Sequence, residues 1–117
     1  MSFANRASAK VFRDKLEIPV IQGGMGVGIS MGKLAGSVAA CGGMGVISTA
    51  LIGFREEDFY QNHVEADVRA LRKEIQIAKE IANGRGMIAI NAMTVTTDYR
   101  ECIEAAVKEG IDAIISG

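Results

Sequence analysis

Short apolar runs alternate with longer amphipathic stretches along the chain. Ile18-Pro19-Val20-Ile21-Gln22 is the first run, and it stops at Gly23-Gly24. Pro19 fits a strand only near its start, where a missing N–H matters least. Gly23 to Ser30 reads as a glycine-rich loop. Ser30 is then placed to cap a helix from Met31 to Ala40, with Leu34, Ala35 and Val38 on its apolar face. Cys41-Gly42-Gly43 ends that helix, and Gly45 to Thr49 is a second β-rich run. Residues 50–62 are less regular. Val64, Val68, Leu71, Ile75, Ala78 and Ala82 then recur in alternating steps of four and three, the stripe of an amphipathic helix. Asp67, Arg69, Lys73, Glu74 and Lys79 fall on the opposite face, read as solvated, and Asn83-Gly84 stops the helix. Met87 to Asn91 is the third strand. Asp98 with Glu101 resembles a capping box before a helix from Tyr99 to Glu109, which buries Ile103, Ala106 and Val107. Gly110 ends it, and Asp112 to Gly117 is the fourth strand.

Four strands separated by helices predict parallel βαβ units. The strands are nearly continuous in apolar residues, as expected when both faces are covered. They finish on glycine or polar residues: Gln22-Gly23, Ser48-Thr49, Asn91 and Ser116-Gly117. In parallel α/β folds the ligand sits at those carboxyl ends. A doubly wound dinucleotide fold requires G-x-G-x-x-G. Gly26-Val27-Gly28 would need a glycine where Met31 stands, and Gly24-Met25-Gly26 one where Ile29 stands. The second strand also ends in Ser48-Thr49 instead of the acid that would hold a ribose. A complete (β/α)₈ barrel needs about 250 residues, and this chain of 117 offers four strands. The expected fold is therefore α/β: residues 1–117 as the N-terminal half of a TIM barrel, strands one to four. The chain is read as truncated, because a fourth strand with no helix after it would leave an apolar face and an edge open.

Composition narrows the partners. Hydrophobic residues at 49% and charged residues at 23% mark an ordinary globular chain, and a net charge of -1 offers no footprint for nucleic acid or an anionic membrane. No run reaches the ~20 apolar residues of a membrane span, and Met1 to Lys15 lacks a signal-like apolar core. A soluble cytoplasmic protein is expected. With aromatics at 5% and no Trp, the core has to come from Ile, Val, Leu, Ala and Met. Fourteen glycines against a single proline point to close backbone approaches instead of linkers. Cys41 and Cys102 lack metal-ligand spacing and read as reduced, small hydrophobes, so no metal site is expected. His63, the only histidine, begins a charged helix and is expected to be solvated.

The run Pro19-Val20-Ile21-Gln22-Gly23-Gly24-Met25 resembles the opening strand of the nitronate monooxygenase (2-nitropropane dioxygenase) family, whose superfamily includes the flavin-dependent enoyl-ACP reductases. Leu34-Ala35-Gly36-Ser37-Val38 is similar to that family's first helix, and Cys41 to Ile47 to its glycine-rich entry into the second strand. Met87-Ile88-Ala89-Ile90-Asn91-Ala92-Met93 is similar to its third strand, and Ile111 to Gly117 to its fourth. The ordered combination covers nearly the whole chain from Ile18 onward.

The resemblance implies an FMN-dependent oxidoreductase, with FMN at the mouth of a barrel and a small-molecule substrate. It lays Gly23, Gly24 and Met25 against the isoalloxazine ring, with Asn91 and Met93 at the end of the third strand. Met93 stands where some members carry Thr, and there the chain is more similar to the enoyl reductases. The chemistry suits a flavin. Glycine lets backbone approach a flat ring, methionine offers a polarizable contact to it, and asparagine both donates and accepts. Ser48 and Thr49 are placed to line the same mouth. The family's catalytic histidine and most of its phosphate grip belong to the second half of the barrel. The catalytic base is therefore expected beyond residue 117, with FMN held weakly or not at all by this chain and no turnover. Two alternatives stay open: an enoyl-ACP reductase passing hydride from NAD(P)H through FMN, and a non-catalytic half-barrel that pairs as a homodimer.

Overall fold

The computed structural model describes residues 10–117. Residues 1–9, most of the stretch expected to lack a signal-like core, lie outside them. Three strands, β1 (Met44–Ser48), β2 (Met87–Ala92) and β3 (Ala113–Ser116), form one sheet in the order β1-β2-β3. Both neighbouring pairs are parallel, in the register Met44↔Met87, Val46↔Ala89, Ser48↔Asn91 and Ala89↔Ala113. Helices α1 (Gly32–Ala40), α2 (His63–Ala82) and α3 (Tyr99–Lys108) precede the three strands in turn. The alternation read from the sequence is therefore the observed one over this region, and the chain is a small parallel α/β unit.

The first apolar run does not form a full strand. It meets the sheet at one parallel bridge, Ile21 with Met44. Met44 N–H donates to Val20 O at 2.9 Å, and Gln22 N–H donates to Met44 O at 3.0 Å. Pairing stops on either side for local reasons. Val20 N–H turns back to Ile18 O, next to a proline with no N–H. Beyond Gln22 it is the side chain that takes the next strand donor, Val46 N–H at 2.9 Å.

Alternate strand residues face opposite ways, and the two faces are covered differently. Ile47, Ile88, Ile90 and Ala92 pack against Ala35 and Ala39 of α1, Leu71, Ile75 and Ala78 of α2, and Cys102 and Ala106 of α3. α1, α2 and α3 thus lie on one face. The other face carries Met44, Val46, Met87 and Ala89, packed by Leu16 and Ala113. Each fully buried Ile or Leu contributes about 1.5–3 kcal/mol, so the helix-covered face holds most of the fold's apolar stabilisation.

Close packing, not side-chain size, chooses the buried stripe of α1. Gly32, Ala35, Gly36 and Ala39 are its buried residues, while Leu34, expected inside, is exposed. The helix lies so tightly on β1 that a Cβ at Gly45 would stand 1.8 Å from Ala35 O. Ser30 does not cap it. The cap position is Met31, without a side-chain bond, and Glu74 of α2 accepts from Gly32 N–H at 2.7 Å instead. Glu74 therefore ties two helices together instead of lying on a solvated face. In α2, Leu71, Ile75, Ala78 and Ala82 are buried as expected, and Asn83 closes the helix in the left-handed conformation at φ 49°. In α3 the buried residues are Cys102, Ala105 and Ala106. Val107, expected inside, is 59% exposed, and Asp98 makes no capping bond. The outer strands remain open: Ile114 and Ile115 of β3 are exposed, as are Val20 and Ile21 at the opposite edge.

Candidate functional site

The register fixes which side chains share the face opposite α1, α2 and α3. Met44 and Met87 begin it, Val46 and Ala89 follow, and Ser48 and Asn91 complete it at the carboxyl ends of β1 and β2. The loop from Gly23 to Ser30 folds down onto that end, held by Gln22. Its Oε1 accepts from Val46 N–H at 2.9 Å, and its Nε2 donates to Gly23 O at 2.6 Å, Ser30 Oγ at 3.1 Å and Val46 O at 3.2 Å. Buried Ser30 completes the clasp. Its Oγ accepts from Met25 N–H at 2.8 Å, and its backbone carbonyl accepts from Ser48 N–H at 3.0 Å. Neither role was foreseen. A Gln at a strand end followed by a Ser in a glycine-rich loop is their only trace in the sequence.

Gly24 and Asn91 then meet. Asn91 Nδ2 donates to Gly24 O at 3.3 Å. A Cβ at Gly24 would stand 2.9 Å from Asn91 Cβ and 3.0 Å from Val46 Cγ1, so only glycine brings the loop this near the strand. Thr49 closes the far side, with its N–H and its Oγ1 donating to Asn91 O at 3.0 and 3.2 Å. The result is a recess of about 330 Å³. Gly24, Met25, Asn91 and Met93 line it, together with Ser48 and Thr49. Met25 and Met93 are 59% and 48% exposed, so their thioethers border the opening instead of filling the core. Gly23 stands apart: a Cβ there would meet nothing within 4 Å. Four of the five residues singled out from the sequence thus line one recess, and the fifth adjoins it. The lining carries no ionisable side chain.

A second polar group lies between the helices. Asp67 is fully buried, and its Oδ1 accepts from Gly53 N–H at 2.6 Å. His63 Nε2 stands 3.5 Å from Asp67 Oδ2, and Asp98, also buried, completes the group. Cys102 Sγ donates to Asp98 Oδ2 at 3.4 Å, and the Phe59 ring meets the imidazole edge-on at 5.8 Å. Burial, with the Asp98 carboxylate alongside, pushes the Asp67 carboxyl up to about 6, although the Gly53 N–H and His63 pull it down. Burial and then Asp98 push the Cys102 thiol up, so it stays protonated as a donor. These positions overturn two expectations. Asp67 is not on the solvated face, and Asp98 stands at the cap position of α3 but uses its side chain here instead of in a capping bond. The signal was present: His63, Asp67, Leu71 and Ile75 follow one another in steps of four, on the buried stripe.

Cys41 is exposed and Cys102 buried, both as free thiols, so only the second behaves as the small hydrophobe expected. Among the described residues no helix is long and apolar enough to cross a membrane. No protein-family model, curated protein or solved structure matches the chain.

Proposed function

We propose that this chain is part of a flavin-binding (β/α) barrel, and that the recess beside Gly24 and Asn91 takes the isoalloxazine ring of FMN in an oxidoreductase of nitronate monooxygenase type. The observation that carries this reading is the contact between Gly24 and Asn91, two segments 67 residues apart, at the carboxyl end of a parallel sheet. Ligands of α/β folds bind at that end. The barrel reading draws on the placement of α1, α2 and α3 on one face of the sheet, with Met44, Val46, Met87 and Ala89 on the other.

The residues present fit part of a flavin. The recess, at about 330 Å³, lies at the small end of ligand pockets, about 300–1,000 Å³, enough for part of a ring system. FMN, when bound, supplies the redox chemistry. Gly24 lets the loop backbone come close to the ring, and Met25 and Met93 offer polarizable contacts at its rim. Asn91, with one N–H given to Gly24, keeps a second donor and an acceptor for the ring's polar edge. Since nothing ionisable lines the recess, removal of the proton α to a nitro group falls to a residue outside it. Flavin reduction separates the leading activity from the enoyl reductase: NAD(P)H reduces the flavin of a reductase, whereas an alkyl nitronate reduces that of a monooxygenase.

The test is a titration of the isotope-labelled chain with FMN, followed by amide chemical shifts. The expected result is weak binding, with Kd about 0.1–1 mM, or roughly 4–5.5 kcal/mol, and shifts concentrated at Gly24, Met25, Asn91 and Met93. Binding with shifts confined to residues away from the recess contradicts the reading. The exposure of Val20 and Ile21 at one sheet edge and of Ile114 and Ile115 at the other favours a second reading, a half-barrel that pairs with a copy of itself. Sedimentation of the colourless chain as a stable dimer supports that alternative.

A further inference from the structure

The His63, Asp67 and Asp98 group is independent of the flavin reading and has no role in it. We propose that these three side chains form a binding site for a divalent transition-metal cation, of the Zn²⁺ or Mn²⁺ class, which joins the start of α2 to the start of α3.

The geometry carries the proposal. One ligand atom from each of the three residues lies within 4.8 Å of the other two. The His63 Nε2 to Asp67 Oδ2 separation of 3.5 Å is close to the edge of a tetrahedron with bonds of about 2.1 Å, roughly 3.4 Å. His63 and Asp67 are four apart on one helix and so share a face. Asp98 comes from the other side, where the chain enters α3. The second observation is chemical. Asp67 Oδ2 is buried and has no hydrogen-bond donor among the described residues, while its Oδ1 is already held by Gly53 N–H. An unpartnered carboxylate oxygen in the interior costs several kcal/mol unless something positive answers it. Among the described residues no lysine or arginine pairs with Asp67 or Asp98, and every ion pair of those side chains goes elsewhere. A cation of charge two balances the two carboxylates.

The donor set selects the metal class. One imidazole and two carboxylates suit Zn²⁺, Mn²⁺ or Co²⁺ better than Mg²⁺ or Ca²⁺, which prefer oxygen throughout. The surroundings behave as supports for ligands. Gly53 N–H fixes the other oxygen of Asp67, the Cys102 thiol holds Asp98, and Phe59 sets the plane of the imidazole. His63 is 37% exposed, so the site opens to solvent on one side, which gives the ion an entry path and room for a water ligand. The expectation of no metal site rested on the cysteine spacing, and a histidine at the start of a charged helix gives no sign of the buried acids beside it.

The test uses the full chain with Cys41→Ser, which removes the exposed thiol as a competing ligand, and Co²⁺ as a spectroscopic probe. The expected result is 1:1 binding with visible d–d bands, displacement by Zn²⁺ and a rise in melting temperature. His63→Ala and Asp98→Asn, checked for an unchanged circular dichroism spectrum, each weaken binding at least about tenfold, or roughly 1.4 kcal/mol. A folded chain that gives no d–d bands and no thermal shift overturns the proposal, and means that a shared proton answers the buried oxygen. Binding that both variants leave unchanged also overturns it.

Discussion

The recess at Gly24 and the buried group at Asp67 both draw on connections that leave the carboxyl ends of β1 and β2, yet they are held in opposite ways. Around Gly24 every tie is neutral. Gln22, Ser30, Thr49 and Asn91 pair amide and hydroxyl groups with backbone partners, and nothing lining the recess is ionisable. Around Asp67 two carboxylates and an imidazole converge, with one buried oxygen unanswered. A satisfied neutral network rigidifies a loop and responds little to pH. An unbalanced buried charge makes stability depend on protons or cations. The first arrangement suits shape and contact, the second suits an ion.

Variants can break or sharpen this contrast, beginning with the largest effect. Gly24→Val puts a Cβ 2.9 Å from Asn91 Cβ, so about 3 kcal/mol of stability is expected to be lost, measured by urea unfolding. That loss should be the same at pH 5 and pH 8, since no titrating group lines the recess.

The next effect belongs to Asp67 and has a definite sign. Its carboxyl keeps its proton in the folded chain up to about pH 6, whereas the unfolded chain releases it near 3.8. Between those values the folded state holds more protons, so stability falls as pH rises through the window and levels off above it. Without metal, wild type should lose about 1–3 kcal/mol relative to Asp67→Asn across that window, because Asn keeps an acceptor for Gly53 N–H and cannot ionise. Parallel unfolding series in chelator at several pH values measure the difference. Asn91→Ala follows, at about 1 kcal/mol, since its side chain makes a single partly buried bond to Gly24 O. Gly23→Ala is smallest, within about 0.5 kcal/mol, as its Cβ meets open space. Thermal unfolding of the Gly23 and Gly24 variants side by side shows whether the recess is built on one glycine or on both.

Much of the fold was readable because strand and helix periods differ. β1, β2 and β3, with the helices before them, lie where the apolar runs and stripes placed them. The first run misled because composition alone does not reveal that Gln22 spends its side chain where its backbone would have continued the ladder. Leu34 and Val107 misled because apolar size was taken for burial, while α1 is seated through glycine and alanine. The recess was legible through Gly24, Met25, Asn91 and Met93, all at or beside strand ends. The buried acids were not. A carboxylate among charged neighbours reads as surface until the step-of-four relation from His63 through Asp67 to Leu71 is followed.

Everything proposed for the recess depends on two distant segments sharing one opening. The direct measurement is a nuclear Overhauser cross-peak between the α protons of Gly24 and the β protons of Asn91 in the isotope-labelled chain. With the Gly24 Cβ position only 2.9 Å from Asn91 Cβ, a strong cross-peak is expected. Fully assigned signals for both residues without that cross-peak would contradict the account.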